Sequence, residues 1–437
     1  MQLYTAHTAS LCLTLFLVIG SCVEPFDLVT NDFEELLVVD AKFTDEFKRQ
    51  HVMLSRTRTF ETDSILAESN SIVKIVDDLG NTYDFMEEEP GNYFSNLPFA
   101  AEQNRSYQLL ISTASGVSYV SELVETPSRL GMGELSFERG ANNNGDEGVS
   151  FLLNNSEESI SKYRRYEYEE TYKIIAPFYS PLEFNIIDST FANINPGFDD
   201  DGRGFVVELK ARTKDVSTCY NTSNSTKLIL GASDDALQNS NRLIINFLGK
   251  DDFKISHRYS ILVKQHNLTS DAYSYYKSLA DFSSSESVFS QIQPGFLEGN
   301  IFSQETDSQN AIGFFEISSV SEKRLFFNYS DLFPDESLPP YIINCEPTGA
   351  PPLILQGGHA NVNEQGEYVV DALAVPSPLI EGIQAGLIVY YDTNEDFGRI
   401  VMETDNFEGL APYYTKATPC GDCTVLGSLE KPDFWID

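Results

Sequence analysis

Between Leu36 and Glu125 apolar and polar residues change places at every second position, in short runs divided by turn signals. That period sends alternate side chains to opposite faces of an extended chain, so each run predicts a strand with one covered face. Leu36 to Phe43 opens the series, and Val52, Leu54 and Phe60 share a face of the next run. Ile72 to Val76 then passes through Asp78-Leu79-Gly80-Asn81 into Tyr83 and Phe85, where Gly and Asn supply the positive φ angles of a tight hairpin turn. Tyr107, Leu109 and Ile111 alternate with polar neighbours, and Val117 to Val124 follows the turn at Ser115-Gly116. Seven strands with no helical period between them predict an immunoglobulin-like or prealbumin-like β-sandwich over residues 36–127.

Thr126-Pro127-Ser128 reads as a hinge into a larger β-rich domain, residues 128–437. Strands are expected at Glu134 to Arg139, Gly148 to Leu153, Tyr163 to Ile175, Phe205 to Ala211, Lys227 to Leu230, Arg242 to Leu248 and Ser256 to Gln265. One segment breaks the two-residue period. In Ser270 to Phe282, Ala272, Tyr275, Tyr276, Leu279 and Phe282 recur at spacings of three and four with Asp271 in the first turn, which predicts one amphipathic helix. Residues 331–358 are rich in proline and are expected to be loop, after which strands return at Leu387 to Tyr391 and Arg399 to Glu403. The chain is therefore expected to be mainly β.

Composition narrows the partners. Of 437 residues, 66 are acidic and 29 basic, giving a net charge of −37, and 41% are hydrophobic, an ordinary share for a folded chain. Nucleic acid is an unsuitable partner, because a phosphate backbone is held by clustered Lys and Arg. The acid excess runs through both regions and gives solubility before it gives a site. At the start, Leu11 to Ile19 is apolar except for Thr14 and leads into Ile19-Gly20-Ser21-Cys22. This looks like a bacterial lipoprotein signal over residues 1–21, with Cys22 as the acylated residue and an acidic tether, residues 22–35, leading to the folded body. It departs from the usual signal in having no Lys or Arg among residues 1–10. Acylated Cys22 would attach the chain to a membrane.

Four cysteines remain for the folded body: Cys219, Cys345, Cys420 and Cys423. In an exported chain they suggest two disulfides, with three pairings open; free thiols and a four-thiolate zinc site are the alternatives. Catalytic patterns are absent from the string, with no HExxH, GxSxG, Walker or GxGxxG motif, and no enzyme activity, cofactor or metal is expected. His257 and His266 have opposite parity if on one strand and cannot share a metal there; each is expected to be a surface or strand histidine. Asp199-Asp200-Asp201-Gly202 has the composition of a calcium loop without its alternate-position spacing, so a plain acidic turn is expected. The positive signal is aromatic: Tyr166, Tyr168 and Tyr172 share one face of a strand, a row suited either to ligand binding or to cross-strand packing.

Several stretches in order resemble a known family. They include Cys22-Val23-Glu24-Pro25-Phe26, Val52-Met53-Leu54-Ser55-Arg56-Thr57, Gly91-Asn92-Tyr93, Cys219-Tyr220, Arg258-Tyr259-Ser260-Ile261, Gly299-Asn300-Ile301, Gly313-Phe314-Phe315, Cys420-Gly421-Asp422-Cys423-Thr424 and Lys431-Pro432-Asp433-Phe434-Trp435. The sequence is similar to the outer-membrane lipoproteins of Bacteroidota grouped as domain of unknown function 4249, and residues 346–415 do not align. The resemblance implies a surface-exposed lipid anchor at the outer membrane, with a TonB-dependent transporter as partner, and it carries over no catalytic or ligand-binding residue. The expected role is an accessory binding or docking subunit of a nutrient uptake system; the rival readings are a stand-alone adhesin or envelope structural lipoprotein, and a carboxylate-dependent hydrolase. The ligand is not legible.

Overall fold

A computed structural model describes residues 35–57, 66–154, 162–190, 203–232, 242–284, 297, 299–305, 311–355, 360–362, 367–371, 377–404 and 409–437. The expected signal, Cys22, most of the acidic tether and Asp199-Asp200-Asp201-Gly202 lie outside the described residues. The first region contains β1 (Leu37–Thr44), β2 (His51–Arg56), β3 (Leu66–Ala67), β4 (Ile72–Asp77), β5 (Thr82–Glu89), β6 (Asn92–Ser95), β7 (Ser106–Ser112), β8 (Ser118–Ser121) and β9 (Val124–Glu125). These are nine strands where seven were expected, because two short pairings at β3 and β9 carry too few residues to show a period.

Alternation does what it should here. On β7 every second residue is buried, Tyr107, Leu109 and Ile111 among them. The same inward set continues through Val39, Leu54, Val73 and Ile75 into one apolar core around which the sheet curls. That core is completed from far along the chain: Ile301, Ala311, Phe315 and Ile317 belong to it.

The later elements are β10 (Glu134–Ala141), β11 (Glu147–Asn154), β12 (Tyr163–Ile175), β13 (Leu182–Thr190), β14 (Arg203–Ala211), β15 (Thr218–Asn224), β16 (Ile229–Ala232), β17 (Arg242–Gly249), β18 (Arg258–Asn267), α1 (Ser270–Ser284), β19 (Ile301–Ser303) and β20 (Ile312–Asn328). After them come α2 (Tyr329–Leu332), β21 (Ala360–Val362), β22 (Tyr368–Asp371), α3 (Pro378–Gln384), β23 (Ile388–Thr393), α4 (Glu395–Thr404), β24 (Tyr413–Ala417) and α5 (Thr418–Gly421). The chain is thus mainly β, with five described helices where one was expected. Arg399 to Glu403, expected as a strand, lies within α4; Phe397 and Ile400 stand three apart, and Glu395 and Asp396 occupy the first turn, where acidic groups favour a helix.

The two regions share a strand. Residues 312–318 of β20 pair in parallel with β1, and residues 319–328 pair antiparallel with β18, so one sheet path runs β15-β12-β18-β20-β1-β2-β6-β5-β4-β7-β8-β19. A division at residue 127 therefore leaves out two strands, β19 and the first half of β20, that complete the first core. β19 pairs with β8 on one side. On its other side the Asn300 side chain closes the curl: its Nδ2 donates to the Phe315 carbonyl at 3.0 Å, and its Oδ1 accepts from the Phe315 N–H at 2.8 Å. A side-chain amide here takes the place of a ladder bond. The approach leaves Gly299 no room for a Cβ against the Gly313 carbonyl, and Gly313, at φ +131°, has none against the Val39 carbonyl of β1.

Thr126-Pro127-Ser128 does not act as a loose hinge, because the segment after it is stitched to β20. The Ser319 hydroxyl donates to the Ser128 carbonyl, the Ser321 hydroxyl to the Leu130 carbonyl and the Lys323 ammonium to the Gly133 carbonyl, at 3.1, 3.0 and 2.8 Å. In the second region a three-stranded sheet, β10-β11-β17, covers one face of β12, β18 and β20, and α1 covers part of the other. A smaller four-stranded sheet, β13-β14-β22-β21, shares a core with α3, α4 and the β23-β24 pair.

Candidate functional site

The sheet face under α1 concentrates charge. Arg165, His266 and Val320 stand side by side on β12, β18 and β20, so their side chains point to one face. Glu316 and Ser318 precede Val320 on that face of β20. The Arg165 guanidinium donates to Glu316 Oε1 at 2.9 Å and to the Glu167 carboxylate. His266 lies 3.2 Å from the Ser318 hydroxyl through Nδ1 and 3.5 Å from Glu167 through Nε2. Tyr276 of α1 stacks on the guanidinium, with Arg165 Cζ 5.4 Å from its ring centre. Arg165, His266 and Tyr276 are buried, and Glu316 has no exposed surface at all.

The electrostatics favour ions. Burial pushes the Glu316 carboxyl up, but the charges of Arg165 and His266 and hydrogen bonds from Arg165 and Tyr276 outweigh it and hold the group at about 2. The Glu167 carboxyl is held low first by the neighbouring His266 ring, and further by Arg165. Tyr276 moves the other way, raised by burial and by the Glu316 charge. A carboxylic acid that donates a proton near neutral pH needs its pKa raised, and both carboxylates that converge on Arg165 go down. This cluster therefore holds charge in place and fixes the crossing of three strands and a helix.

The join has a second polar layer. Asp45 Oδ1 accepts from the Val320 N–H at 2.7 Å, and its other oxygen lies 3.2 Å from Arg129. Burial raises the Asp45 carboxyl against those two partners. Lys264 of β18 reaches Glu46 at 3.2 Å, from one region to the other.

The residues singled out from the sequence fall elsewhere. Tyr166 and Tyr172 lie in the core between β12 and the three-stranded sheet, with Tyr168 half-buried against it, so the row is packing and presents no open binding face. The four body cysteines form Cys219–Cys423 and Cys345–Cys420, which decides the pairing and rules out a thiolate zinc site. Both bridges fasten the segment that begins at α5. Among the described residues no group of three or more His, Cys, Asp or Glu side chains is arranged to hold a metal ion. His266, expected to be a surface or strand histidine, joins the ion network, while His257 lies near the end of the sheet with its pKa lowered by burial and by Lys173. Glu316 was missed altogether. The one signal for it in the string is a charge in the middle of the apolar run Gly313-Phe314-Phe315-Glu316-Ile317.

The fold and this join define a β-rich scaffold whose two regions are locked by a shared strand and a buried ion network. The chain belongs to the family described as Domain of unknown function (DUF4249), whose model matches residues 23–324. The match takes in Arg165, Glu167, His266, Tyr276 and Glu316 and stops before Cys345, Cys420 and Cys423. No curated protein matches this chain.

Proposed function

We propose that this chain is a lipid-anchored outer-membrane lipoprotein of the Bacteroidota type that serves as an accessory binding or docking subunit of a TonB-dependent uptake system. The observation that carries the reading is Ile19-Gly20-Ser21-Cys22 behind the apolar run Leu11 to Ile19. Such a run enters the export machinery, the small residues suit a signal peptidase, and the thiol accepts the lipid. Family membership supports it. So do the two disulfides, which persist in an oxidising compartment outside the cytoplasm. Among the described residues no helix is long and apolar enough to cross a membrane. A body held by one acylated cysteine cannot carry a solute across the bilayer itself, and a rigid β scaffold suits holding a ligand or a neighbouring transporter.

The test is to purify a C-terminally tagged chain from detergent-solubilised outer membrane and measure both its N-terminal mass and its co-purifying proteins. A diacylglyceryl-modified Cys22 with a stoichiometric TonB-dependent transporter is the expected result. An unmodified Cys22 removes the anchor from the account, and a modified chain recovered without a transporter removes the uptake role.

A further inference from the structure

At one end of the second sheet, strand ends meet the segment that follows β20 and enclose a cleft of about 420 Å³, within the size range of small-molecule sites. Its floor is a row of side chains from three neighbouring strands. Tyr172 pairs with Tyr259, so the next step along the antiparallel ladder sets Lys173 opposite Arg258, and Arg258 in turn pairs with Asn328. All three line the cleft. Like charges placed directly across a sheet repel, and this chain has more than two acids for every base with which to avoid it.

The acids that also line the cleft are engaged elsewhere. Glu336 is paired with Arg139 at 2.6 Å and with Lys250 at 3.2 Å, and Asp437 with Lys431 at 2.5 Å. Among the described residues Lys173 has no ion-pair partner within 4 Å, though its charge helps to lower the Asp437 carboxyl. Arg258 donates from Nε to the Ile436 carbonyl and from a terminal nitrogen to Asn328 Oδ1, which leaves three of the five guanidinium donors. His257 also lines the cleft, and burial together with the nearby Lys173 charge lowers its pKa. Beside this cationic floor stand Ile175, Phe333 and Leu338.

We propose that this cleft binds a small organic carboxylate, its charged end between Lys173 and Arg258 and its hydrocarbon against Ile175 and Leu338. A monoanion fits better than a dianionic phosphate, because Glu336 and Asp437 also line the cleft and, though paired, add negative charge beside it. Charge-assisted hydrogen bonds from an ammonium and a guanidinium supply the recognition. The site needs neither the lipid anchor nor a transporter, so its test is separate from that of the envelope role.

The experiment is calorimetric titration of the mature chain, disulfides intact, with hexanoate, hexanamide and hexylammonium in turn. Hexanoate is expected to bind at millimolar or lower concentration at least tenfold more tightly than the other two, and more weakly as salt is added. Lys173→Met is expected to weaken hexanoate at least tenfold, and Asp437→Asn to strengthen it by removing a repelling charge. The Lys173 side chain makes no hydrogen bond and no ion pair among the described residues, so that variant should keep its thermal unfolding midpoint. Equal binding of the three probes, no binding of hexanoate, or undiminished binding by the Lys173→Met variant would each overturn the proposal.

Discussion

The first curled sheet and the β12-β18-β20 crossing are held together by different means. The first is an apolar core with its polar side turned to water, closed at one seam by the side-chain amide of Asn300 beside a backbone bond from the Ala311 N–H to the Ile301 carbonyl. The second is covered on both faces, by the three-stranded sheet on one side and by α1 on part of the other, and it keeps a guanidinium, two carboxylates and an imidazole under that helix. Hydrophobic burial is non-directional and tolerates many arrangements, whereas a buried charge is costly unless its partner is in one place. We read the contrast as a division of labour: the first region supplies bulk stability, and the second fixes how the strands cross.

The sharpest way to break the contrast is to remove one member of the ion network. Arg165→Met leaves Glu316 buried without its ion-pair partner and is expected to destabilise the chain by about 3–5 kcal/mol in urea unfolding, while adding Glu316→Leu recovers most of that loss. If the single and double variants are equally unstable, the partnership with Glu316 is not what Arg165 provides. Next is the amide closure. Asn300→Ala strands the Phe315 N–H and carbonyl and is expected to cost about 2–4 kcal/mol, with faster hydrogen exchange at Phe315.

Acid should act on the crossing more than on the first core. The folded pKa of Glu316 is lowered to about 2 from a usual 4.5, so its contribution is present above the unfolded value and is lost as pH falls between those two limits. Asp45, raised by burial, acts in the opposite sense and offsets part of the loss. A pH titration of the unfolding midpoint should therefore fall less steeply over that window in Glu316→Gln than in the unaltered chain. The smallest effect belongs to the partly exposed bridge between regions: Lys264→Gln is expected to change stability by about 0–1 kcal/mol, since a screened surface pair contributes little.

The same contrast explains what could be read in the string. Strands with one wet face announce themselves, as Tyr107, Leu109 and Ile111 do, and α1 announces itself through Ala272, Tyr275 and Tyr276. β20, at 17 residues the longest strand among the described residues, went unread because Gly313 to Val320 is buried on both faces and so shows no alternation. The tyrosine row of β12 was visible as a row, but its burial depends on β11 and β17, whose packing against it no local pattern encodes. Arg165 and Glu316 are 151 positions apart, and only the shared sheet brings them together. Arg399 to Glu403 misled because Ile400-Val401-Met402 has strand-forming residues inside a stretch that opens with helix-favouring acids.

That the two regions form one body through β20 is tested most directly by differential scanning calorimetry of the mature chain with its disulfides intact. The account predicts a single transition whose calorimetric and van 't Hoff enthalpies agree. Two resolved transitions, with one that survives unchanged in the Arg165→Met variant, would mean that the regions fold separately and that the shared strand does not couple them.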